Sequence, residues 1–219
     1  MRTEFTINPH TGEMVVRRAD EALLAQLQTY LGPGKDAECG QSLPVPARHD
    51  SRGSVQIASI VHGSLVDGPG LRSVAFFQGC PHHCLGCHSV YTHSLIGGIR
   101  MTVAEVVDEL LRSDVPRDGV TLSGGDALVQ PEACAEIVRR LKEADTHITV
   151  FTGFTYEQLL QRGNLAVEEV LDLADVLVDG PFVPALRDES LAYRGSRNQR
   201  VIDLLQTRQA GSIRLLDWD

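Results

Sequence analysis

Residues 79–88 of the chain read GCPHHCLGCH and follow the apolar run VAFF at residues 74–77. Three of the five cysteines lie in this loop, at Cys80, Cys84 and Cys87, with C-x3-C-x2-C spacing. Thiolates are the soft ligands that bind iron–sulfur clusters and zinc. A [4Fe–4S] cluster and a structural zinc site both usually take four protein ligands. Three cysteines on one loop therefore predict a metal centre with one coordination position left open.

The composition is that of a globular protein with one medium domain and an added segment, since the chain has 219 residues. Hydrophobic residues make up 42% and charged residues 22%, which is ordinary for a chain that buries a core. No apolar run approaches the roughly 20 residues that a membrane-spanning helix needs, and the first residues lack the apolar core of a signal peptide. We therefore expect a cytoplasmic protein with no membrane partner.

The charge and cysteine counts exclude two further classes. Twenty basic and 29 acidic residues give a formal net charge of −9, whereas a nucleic-acid surface needs a basic stripe. We therefore expect no nucleic-acid partner. An odd number of cysteines, three of them clustered on one loop, argues against disulfide cross-links and indicates a reducing compartment.

The first 54 residues differ in pattern from the rest. Residues 5–16 predict a small hairpin with its turn near Thr11-Gly12, and apolar residues recur at helical spacing over residues 22–31. Residues 35–53 are polar and rich in Pro, Gly and Ser, as a linker is. Cys39 in this linker is a possible fourth ligand, but an exposed thiol is favoured, because flexible polar segments seldom fix a ligand. We predict an N-terminal extension over residues 1–54 and one domain over residues 55–219.

Strand and helix patterns alternate from residue 55 onward. Strands are predicted at residues 55–61, 72–77, 119–122, 147–151 and 176–178, and helices at residues 131–144, 156–161 and 166–173. A further helix begins at the capping box of Thr102 and Glu105. Repeated β-then-α units predict an α/β fold with a parallel sheet covered by helices. Ligands bind at the carboxyl ends of such strands, where the cysteine loop, Ser123-Gly124-Gly125-Asp126, Thr152-Gly153 and Asp179-Gly180 all lie.

The turn over residues 123–126 is a candidate ligand contact. Its two adjacent glycines let the backbone approach a ligand closely, and unpaired N–H and C=O groups can bind amino and carboxylate groups. A plain strand–helix turn accounts for the pattern equally well, because short glycine pairs are common in α/β loops.

The cysteine loop and this turn together resemble the radical S-adenosylmethionine (SAM) superfamily, whose signature is C-x3-C-x2-C followed by a Gly-Gly-Glu-type motif. The segments VDGPGLR at residues 66–72 and FFQGC at residues 76–80 are similar to the activating enzymes of glycyl radical enzymes. Within that group, the chain looks most like the activase of anaerobic (class III) ribonucleotide reductase, at residues 84–88, 121–128, 151–155, 178–182 and 193–203. The resemblance runs from about Gly63 to Asp203.

The resemblance implies a partial (β/α) barrel of the radical SAM type, preceded here by the N-terminal extension. It implies that Cys80, Cys84 and Cys87 hold three irons of a [4Fe–4S] cluster, whose fourth iron takes the amino and carboxylate groups of SAM. The methionine amino group would contact Gly124, Gly125 and Asp126, with Ser123 adjacent. Further candidates are Thr152 and Asp179 at the strand ends, and Asp67 where the substrate glycine comes in.

The implied activity is reductive cleavage of SAM to methionine and a 5′-deoxyadenosyl radical, which takes a hydrogen atom from a glycine of a partner enzyme. The implied partners are anaerobic ribonucleotide reductase and a reductant such as flavodoxin or ferredoxin. The chain departs from the branch at His88-Ser89, where His-Asn is frequent, and at Val90-Tyr91, where a Glu-Thr-Trp run is common. One alternative is therefore a radical SAM enzyme acting on a small molecule or peptide, similar to 7-carboxy-7-deazaguanine synthase. A zinc- or cluster-binding interaction module is another.

Several other residues have simpler interpretations. His82 and His83 lie between the cysteines and are candidate alternative ligands, but we expect them to be solvent-facing loop residues, because the cysteine spacing already supplies ligands. Cys134 is expected in the core, since unpaired cysteine is among the most buried residue types. Trp218 is expected to pack the end of the chain onto the domain. Three arginines, Arg194, Arg197 and Arg200, form either a site for an acidic group or a salt-bridged face.

Overall fold

The computed structural model describes residues 4–7, 14–18 and 53–218, and the chain divides into two compact units, residues 1–47 and 48–219. In the first unit, β1 (Glu4–Ile7) pairs antiparallel with β2 (Met14–Arg18). This pairing confirms the two strands of the predicted hairpin. The predicted turn, the helix over residues 22–31 and Cys39 lie outside the described residues, and the domain boundary at residue 54 stays a prediction.

The second unit is built on a sheet of seven strands. Their order across the sheet is β5-β3-β4-β6-β7-β8-β9. The strands are β3 (Ser54–Ser64), β4 (Arg72–Phe77), β5 (Ile99–Thr102), β6 (Gly119–Gly124), β7 (Ile148–Phe151), β8 (Val176–Asp179) and β9 (Arg200–Asp203). The sheet is open, with β5 and β9 at its edges, and this agrees with a partial rather than a closed barrel.

Strand direction corrects part of the sequence interpretation. The four central strands β4, β6, β7 and β8 are parallel to one another, as predicted. The expectation of a parallel sheet was wrong for β3, which runs antiparallel to β4. The strands β5 and β9 were not predicted, and both also run antiparallel to their neighbours. A parallel pair needs a crossover of a dozen or more residues, usually a helix. The connection from β3 to β4 is too short for that, and the one from β8 to β9 contains no α-helix.

Five α-helices are present in the described part of the chain. They are α1 (Val103–Leu110), α2 (Pro131–Glu143), α3 (Tyr156–Gln161), α4 (Leu165–Leu173) and α5 (Leu204–Ala210). The capping box predicted at Thr102 is confirmed, since its Oγ1 accepts from Glu105 N at 3.1 Å and its own N–H donates to Glu105 Oε2 at 2.7 Å. None of these helices is long and apolar enough to cross a membrane.

The main core lies between the helices and one face of the sheet. Strand residues such as Phe77, Leu122 and Leu177 pack there with helix residues such as Ile137 and Leu141, all with no exposed surface. Burial of each such side chain contributes about 1.5–3 kcal/mol. Cys134 is part of this core and is fully buried, as predicted, and its burial raises the pKa of its thiol.

A smaller apolar cluster covers the opposite face of β8 and β9. Val176, Val178 and Val201 form its buried part, and Trp218 packs against them from the end of the chain. The Trp218 ring meets Tyr193 edge-on, with ring centroids 5.2 Å apart. The expected packing role of Trp218 is confirmed.

Candidate functional site

The carboxyl ends of the four parallel strands form one edge of the sheet. In the pairing of β4 with β6, Phe76 lies beside Ser123 and Phe77 beside Gly124, so the cysteine loop and the glycine turn begin side by side. The turn after β7 joins the same edge, because Thr152 N donates to Val178 O at 3.0 Å. The predicted convergence of these segments at one edge is therefore present.

The cysteine loop is closed at its base by backbone hydrogen bonds. Gly79 N donates to Thr92 O at 2.8 Å, and Cys80 N donates to His93 O at 3.1 Å. The buried Gln78 amide adds a bond from its Nε2 to Ser94 O at 2.7 Å. Sequence reasoning missed Gln78 and Thr92, because neither residue type signals a loop closure across more than ten residues.

The three cysteines differ in exposure. Cys80 is 8% exposed, and Cys84 and Cys87 are partly buried. A tight turn links the last two, since Cys87 N donates to Cys84 O at 3.1 Å and Gly86 has a φ of 79°. Burial raises the pKa of the Cys80 thiol. A bound cation reverses that effect, because a coordinating thiol is deprotonated outright.

The donor chemistry of this loop fits an iron–sulfur cluster. Within residues 4–7, 14–18 and 53–218, no three or more His, Cys, Asp or Glu side chains are arranged to bind a single metal ion. Three thiols on one short loop are the ligand type that such clusters take from proteins. Backbone hydrogen bonds within the protein close the base of this loop, so all three cysteines lie on one short segment with an anchored base.

The glycine pair packs closely against the base of the cysteine loop. Gly124 has a φ of 103°, and a Cβ at this position would lie 2.3 Å from Phe77 N. A Cβ on Gly125 would lie 2.2 Å from Gly79 O. Asp126 N also donates to Gly79 O, at 2.9 Å. The glycines thus allow β6 to approach the cysteine loop, and their contact with a ligand stays a prediction.

The carboxylate of Asp126 is fully buried and accepts four hydrogen bonds from the protein. Its Oδ1 accepts from Leu128 N at 3.0 Å. Its Oδ2 accepts from Thr152 Oγ1 at 2.8 Å, from Gly153 N at 3.0 Å and from His82 Nε2 at 2.9 Å. An ionised carboxylate has about two acceptor positions on each oxygen, so protein donors saturate Oδ2, whereas Oδ1 takes one described protein donor. The predicted contact of Asp126 with a ligand amino group stays a prediction.

The side chain of His82 is 15% exposed, so the expectation that it faces solvent was wrong. Asp126 holds one edge of its imidazole, and the Phe154 ring meets it edge-on with centroids 4.3 Å apart. His83 is exposed, as expected, and its ring lies 5.1 Å from that of His93. Sequence reasoning missed the His82 contact, because its partner lies 44 residues away.

Asp179 is buried at the same sheet edge and forms an ion pair. Its Oδ1 accepts from Arg200 Nε at 2.9 Å, and its Oδ2 accepts from a second Arg200 nitrogen and from Tyr156 N. Arg200 also binds Glu157 through two hydrogen bonds, which lower the pKa of Glu157 to about 2. For Arg200, the salt-bridged interpretation is therefore the one observed. A ligand contact for Asp179 stays a prediction.

Asp67 is hydrogen-bonded to β6 and to the end of β3. Its backbone oxygen accepts from Thr121 Oγ1 at 2.6 Å, and its Oδ2 accepts from Ser64 Oγ at 2.5 Å. The following residues reach the amino ends of the strands, where Asp118 N donates to Leu71 O at 2.7 Å. The structure thus joins Asp67 to the middle of β6, and its role at the substrate stays a prediction.

Comparison with known proteins supports the assignment of the cysteine loop to an iron–sulfur cluster. The sequence matches the family described as "4Fe-4S single cluster domain" over residues 66–202, which is more than half of the chain. The chain belongs to this family. It is also 37% identical over 145 residues to the anaerobic ribonucleoside-triphosphate reductase-activating protein of Escherichia coli K12, covering 63% of this chain and 91% of that relative.

Two further similarities extend this result. The chain is 40% identical over 133 residues to the pyruvate formate-lyase-activating enzyme of Clostridium pasteurianum, covering 57% of this chain and 55% of that enzyme. The solved structure of QueE from Escherichia coli matches with a TM-score of 0.41 and 14% identity, covering 47% of this chain and 53% of QueE. The relatives confirm the predicted membership of the radical SAM activating enzymes, which are oxidoreductases.

Proposed function

We propose that the chain is a radical SAM activase that generates a glycyl radical on a partner enzyme, an anaerobic ribonucleotide reductase. Cys80, Cys84 and Cys87 hold its [4Fe–4S] cluster. The observation that carries the proposal is the hydrogen-bonded contact between the base of this cysteine loop and the Gly124–Asp126 turn. The chain that contains this contact belongs to a 4Fe-4S family. When bound, the cluster supplies the electron for cleavage of SAM to methionine and a 5′-deoxyadenosyl radical.

The protein's own contribution is to position the groups and to exclude water from part of the site. Cys80 is 8% exposed and follows the buried Phe77, so its side of the loop is shielded from solvent. Cys84 and Cys87 are more accessible, and this suits delivery of an electron by a small reductant such as flavodoxin or ferredoxin. Gly124, Gly125 and Asp126 form the neighbouring wall, with Thr152 behind them. SAM binds along this edge of the sheet.

A protein partner is favoured by the surface next to the cysteine loop. Large apolar side chains within and after the loop are strongly exposed, including Leu85 at 81%, Tyr91 at 60% and Ile96 at 89%. Exposed apolar groups that lie together mark sites of protein interaction. The ribonucleotide reductase branch is favoured because the chain covers 91% of that relative and 55% of the pyruvate formate-lyase-activating enzyme. We place this activity in the cytoplasm.

One experiment tests these steps separately. The protein is reconstituted with iron and sulfide without oxygen, reduced, and given SAM with and without the anaerobic ribonucleotide reductase of the same organism. We expect 5′-deoxyadenosine in the reduced samples and a glycyl radical in the electron paramagnetic resonance spectrum when the reductase is present. Absence of 5′-deoxyadenosine would refute a radical SAM activity. If 5′-deoxyadenosine formed without a glycyl radical, the assigned partner would be wrong, and action on a small molecule or peptide would replace it.

A matched pair of cysteine variants checks the ligand assignment. Cys84→Ala removes one proposed iron ligand, and we expect the variant to lose the intact [4Fe–4S] cluster. Cys134→Ala removes a thiol on α2 that is fully buried in the core, and we expect it to keep the cluster. Iron and sulfide contents per chain after reconstitution measure both outcomes. A complete cluster in Cys84→Ala would contradict the assignment.

A further inference from the structure

The buried carboxylate of Asp126 joins three segments at the edge of the sheet. Leu128 belongs to the turn after β6, Thr152 and Gly153 belong to the turn after β7, and His82 belongs to the cysteine loop. Of these four donors, His82 is the one that lies between two of the cysteines. Its hydrogen bond therefore anchors the segment from Cys80 to Cys84 to the buried carboxylate of Asp126.

The His82 ring is also fixed by close packing. A Cβ on Gly153 would lie 2.3 Å from the His82 Cδ2 atom, so the ring lies directly against the Gly153 backbone. Phe154 packs edge-on against the same ring, and the Arg162 guanidinium lies 4.4 Å from the Phe154 ring centroid. The ring is thus held by one charged acceptor and two packing contacts.

We propose that His82 is a positioning residue for the cluster-binding loop. The hydrogen bond from Nε2 to Asp126 is charge-assisted, and it orders the first half of the loop before iron arrives. An ordered loop loses less conformational freedom when a ligand binds, so the bound ligand leaves more slowly. His82 therefore slows release of the cluster. The inference rests on the proposed cluster at Cys80, Cys84 and Cys87, and it is independent of the partner enzyme.

Three single variants test this role. His82→Ala removes the ring and the hydrogen bond, whereas His82→Gln keeps an N–H donor, because the glutamine Nε2 can take the place of the imidazole Nε2 beside Asp126. His83→Asn is the matched control, because His83 is exposed on the same loop and asparagine tolerates its φ of 45°. The measurements are iron per chain after reconstitution, the rate at which a chelator removes that iron, and the electron paramagnetic resonance spectrum of the reduced cluster.

We expect each variant to assemble a full cluster. His82→Ala should release iron at least tenfold faster than the wild-type protein and give a broadened spectrum. His82→Gln should recover part of the lost retention, and His83→Asn should match the wild type. A release rate for His82→Ala within twofold of the wild type would overturn the proposal. A freshly reconstituted His82→Ala protein with a deficit of iron would also overturn it, since His82 would then be a ligand.

A second pair of variants tests whether the ring itself mediates the effect. Gly153→Ala adds a Cβ that displaces the His82 ring while Asp126 and the cysteines keep their side chains. We expect this variant to release iron as fast as His82→Ala does. The double variant combines His82→Ala with Gly153→Ala. Because its ring is absent, the added methyl group should speed iron release little further, so the effects of the two substitutions on the release rate should be strongly non-additive. Additive effects on the release rate would contradict a role for the ring.

The metal-free protein separates failure of this inference from failure of the proposed function. A wild-type protein that takes up no iron would refute the proposed function. The positioning role is then measured by alkylation of Cys80, which is 8% exposed and should become more accessible when the loop loses its contact with Asp126. We expect alkylation at least tenfold faster in His82→Ala than in the wild type or His83→Asn. Equal rates would overturn the inference.

Discussion

The guanidinium of Arg72 lies against the imidazole of His147 at the amino ends of β4 and β7, with Nη1 3.2 Å from Nδ1. Arg72 is 1% exposed, and its other donors bind the hydroxyls of Thr121 and Thr149 and backbone oxygens. Its described hydrogen-bond partners are all uncharged groups. Burial lowers the pKa of Arg72 to about 10, and burial together with the Arg72 charge lowers the pKa of His147.

Replacement of Arg72 should strongly destabilise the fold. Arg72→Met leaves two buried threonine hydroxyls and the Val120 carbonyl without this donor, and each buried unsatisfied group costs about 1–3 kcal/mol. We expect the free energy of unfolding in urea to fall by about 3 kcal/mol. Arg100→Met is the control, because Arg100 is exposed and binds the Ser54 hydroxyl. Similar losses in the two variants would show that the buried network contributes little.

His147 should make the fold less stable in mild acid. Its pKa in the folded state lies below the ordinary 6.5, so the unfolded state binds more protons once the pH falls through about 6.5. Stability is therefore present above this pH and is lost as the pH falls. His147→Gln should flatten the dependence of the unfolding free energy on pH between about 7.5 and 5. The exposed His88 supplies the control His88→Gln, and an unchanged slope in His147→Gln would contradict the expectation.

The contact between Gly125 and Gly79 should not tolerate a methyl group. Gly125→Ala places Cβ 2.2 Å from the Gly79 carbonyl oxygen, and overpacking of this kind costs about 1–3 kcal/mol. We expect a lower unfolding free energy and a reduced iron content after reconstitution. Gly53→Ala is the control, since no atom lies within 4 Å of its added Cβ. A Gly125→Ala protein with wild-type stability and iron content would show that the close approach is dispensable.

The ion pair of Arg200 with Asp179 should matter more than the one with Glu157. Arg200→Ala leaves the buried Asp179 carboxylate without its cation, and such losses cost about 3–5 kcal/mol. Because the Arg200 side chain is 29% exposed, we expect the loss at the low end of this range, a fall of about 3 kcal/mol in the free energy of unfolding in urea. Glu157→Gln removes the exposed pair and should cost less than about 1 kcal/mol. Equal effects of the two substitutions would mean that burial does not distinguish these pairs.

The parts of the fold that depend on local signals were predictable from the sequence. Apolar runs located the four central strands, and Thr102 with Glu105 marked the start of α1. The strands β5 and β9 were missed, because polar residues flank their few apolar ones and neither contains an apolar run like those of β7 and β8. Their antiparallel pairing depends on which distant strand lies beside them, as in the pairing of Val55 with Met101.

The sequence also located the candidate site at the correct edge of the sheet but not its internal contacts. The glycine pair correctly suggested close backbone approach, yet its partner proved to be the base of the cysteine loop. Residues 82 and 126 join across 44 positions, and residues 72 and 147 across 75. A motif states which residue types are present, whereas these bonds depend on how separate segments stack. Such contacts required the folded chain.

The closed base of the cysteine loop has a consequence for how this enzyme can diverge. The bonds at Gly79 and Cys80 join backbone atoms to Thr92 and His93, and backbone pairing is largely indifferent to the side chains that lie between. Exposed residues such as Val90 and Tyr91 can therefore be substituted without breaking the hydrogen bonds that close the loop. Substitutions in this segment can therefore change which protein the enzyme recognises during evolution, while the cysteine ligands and the chemistry of the cluster stay the same.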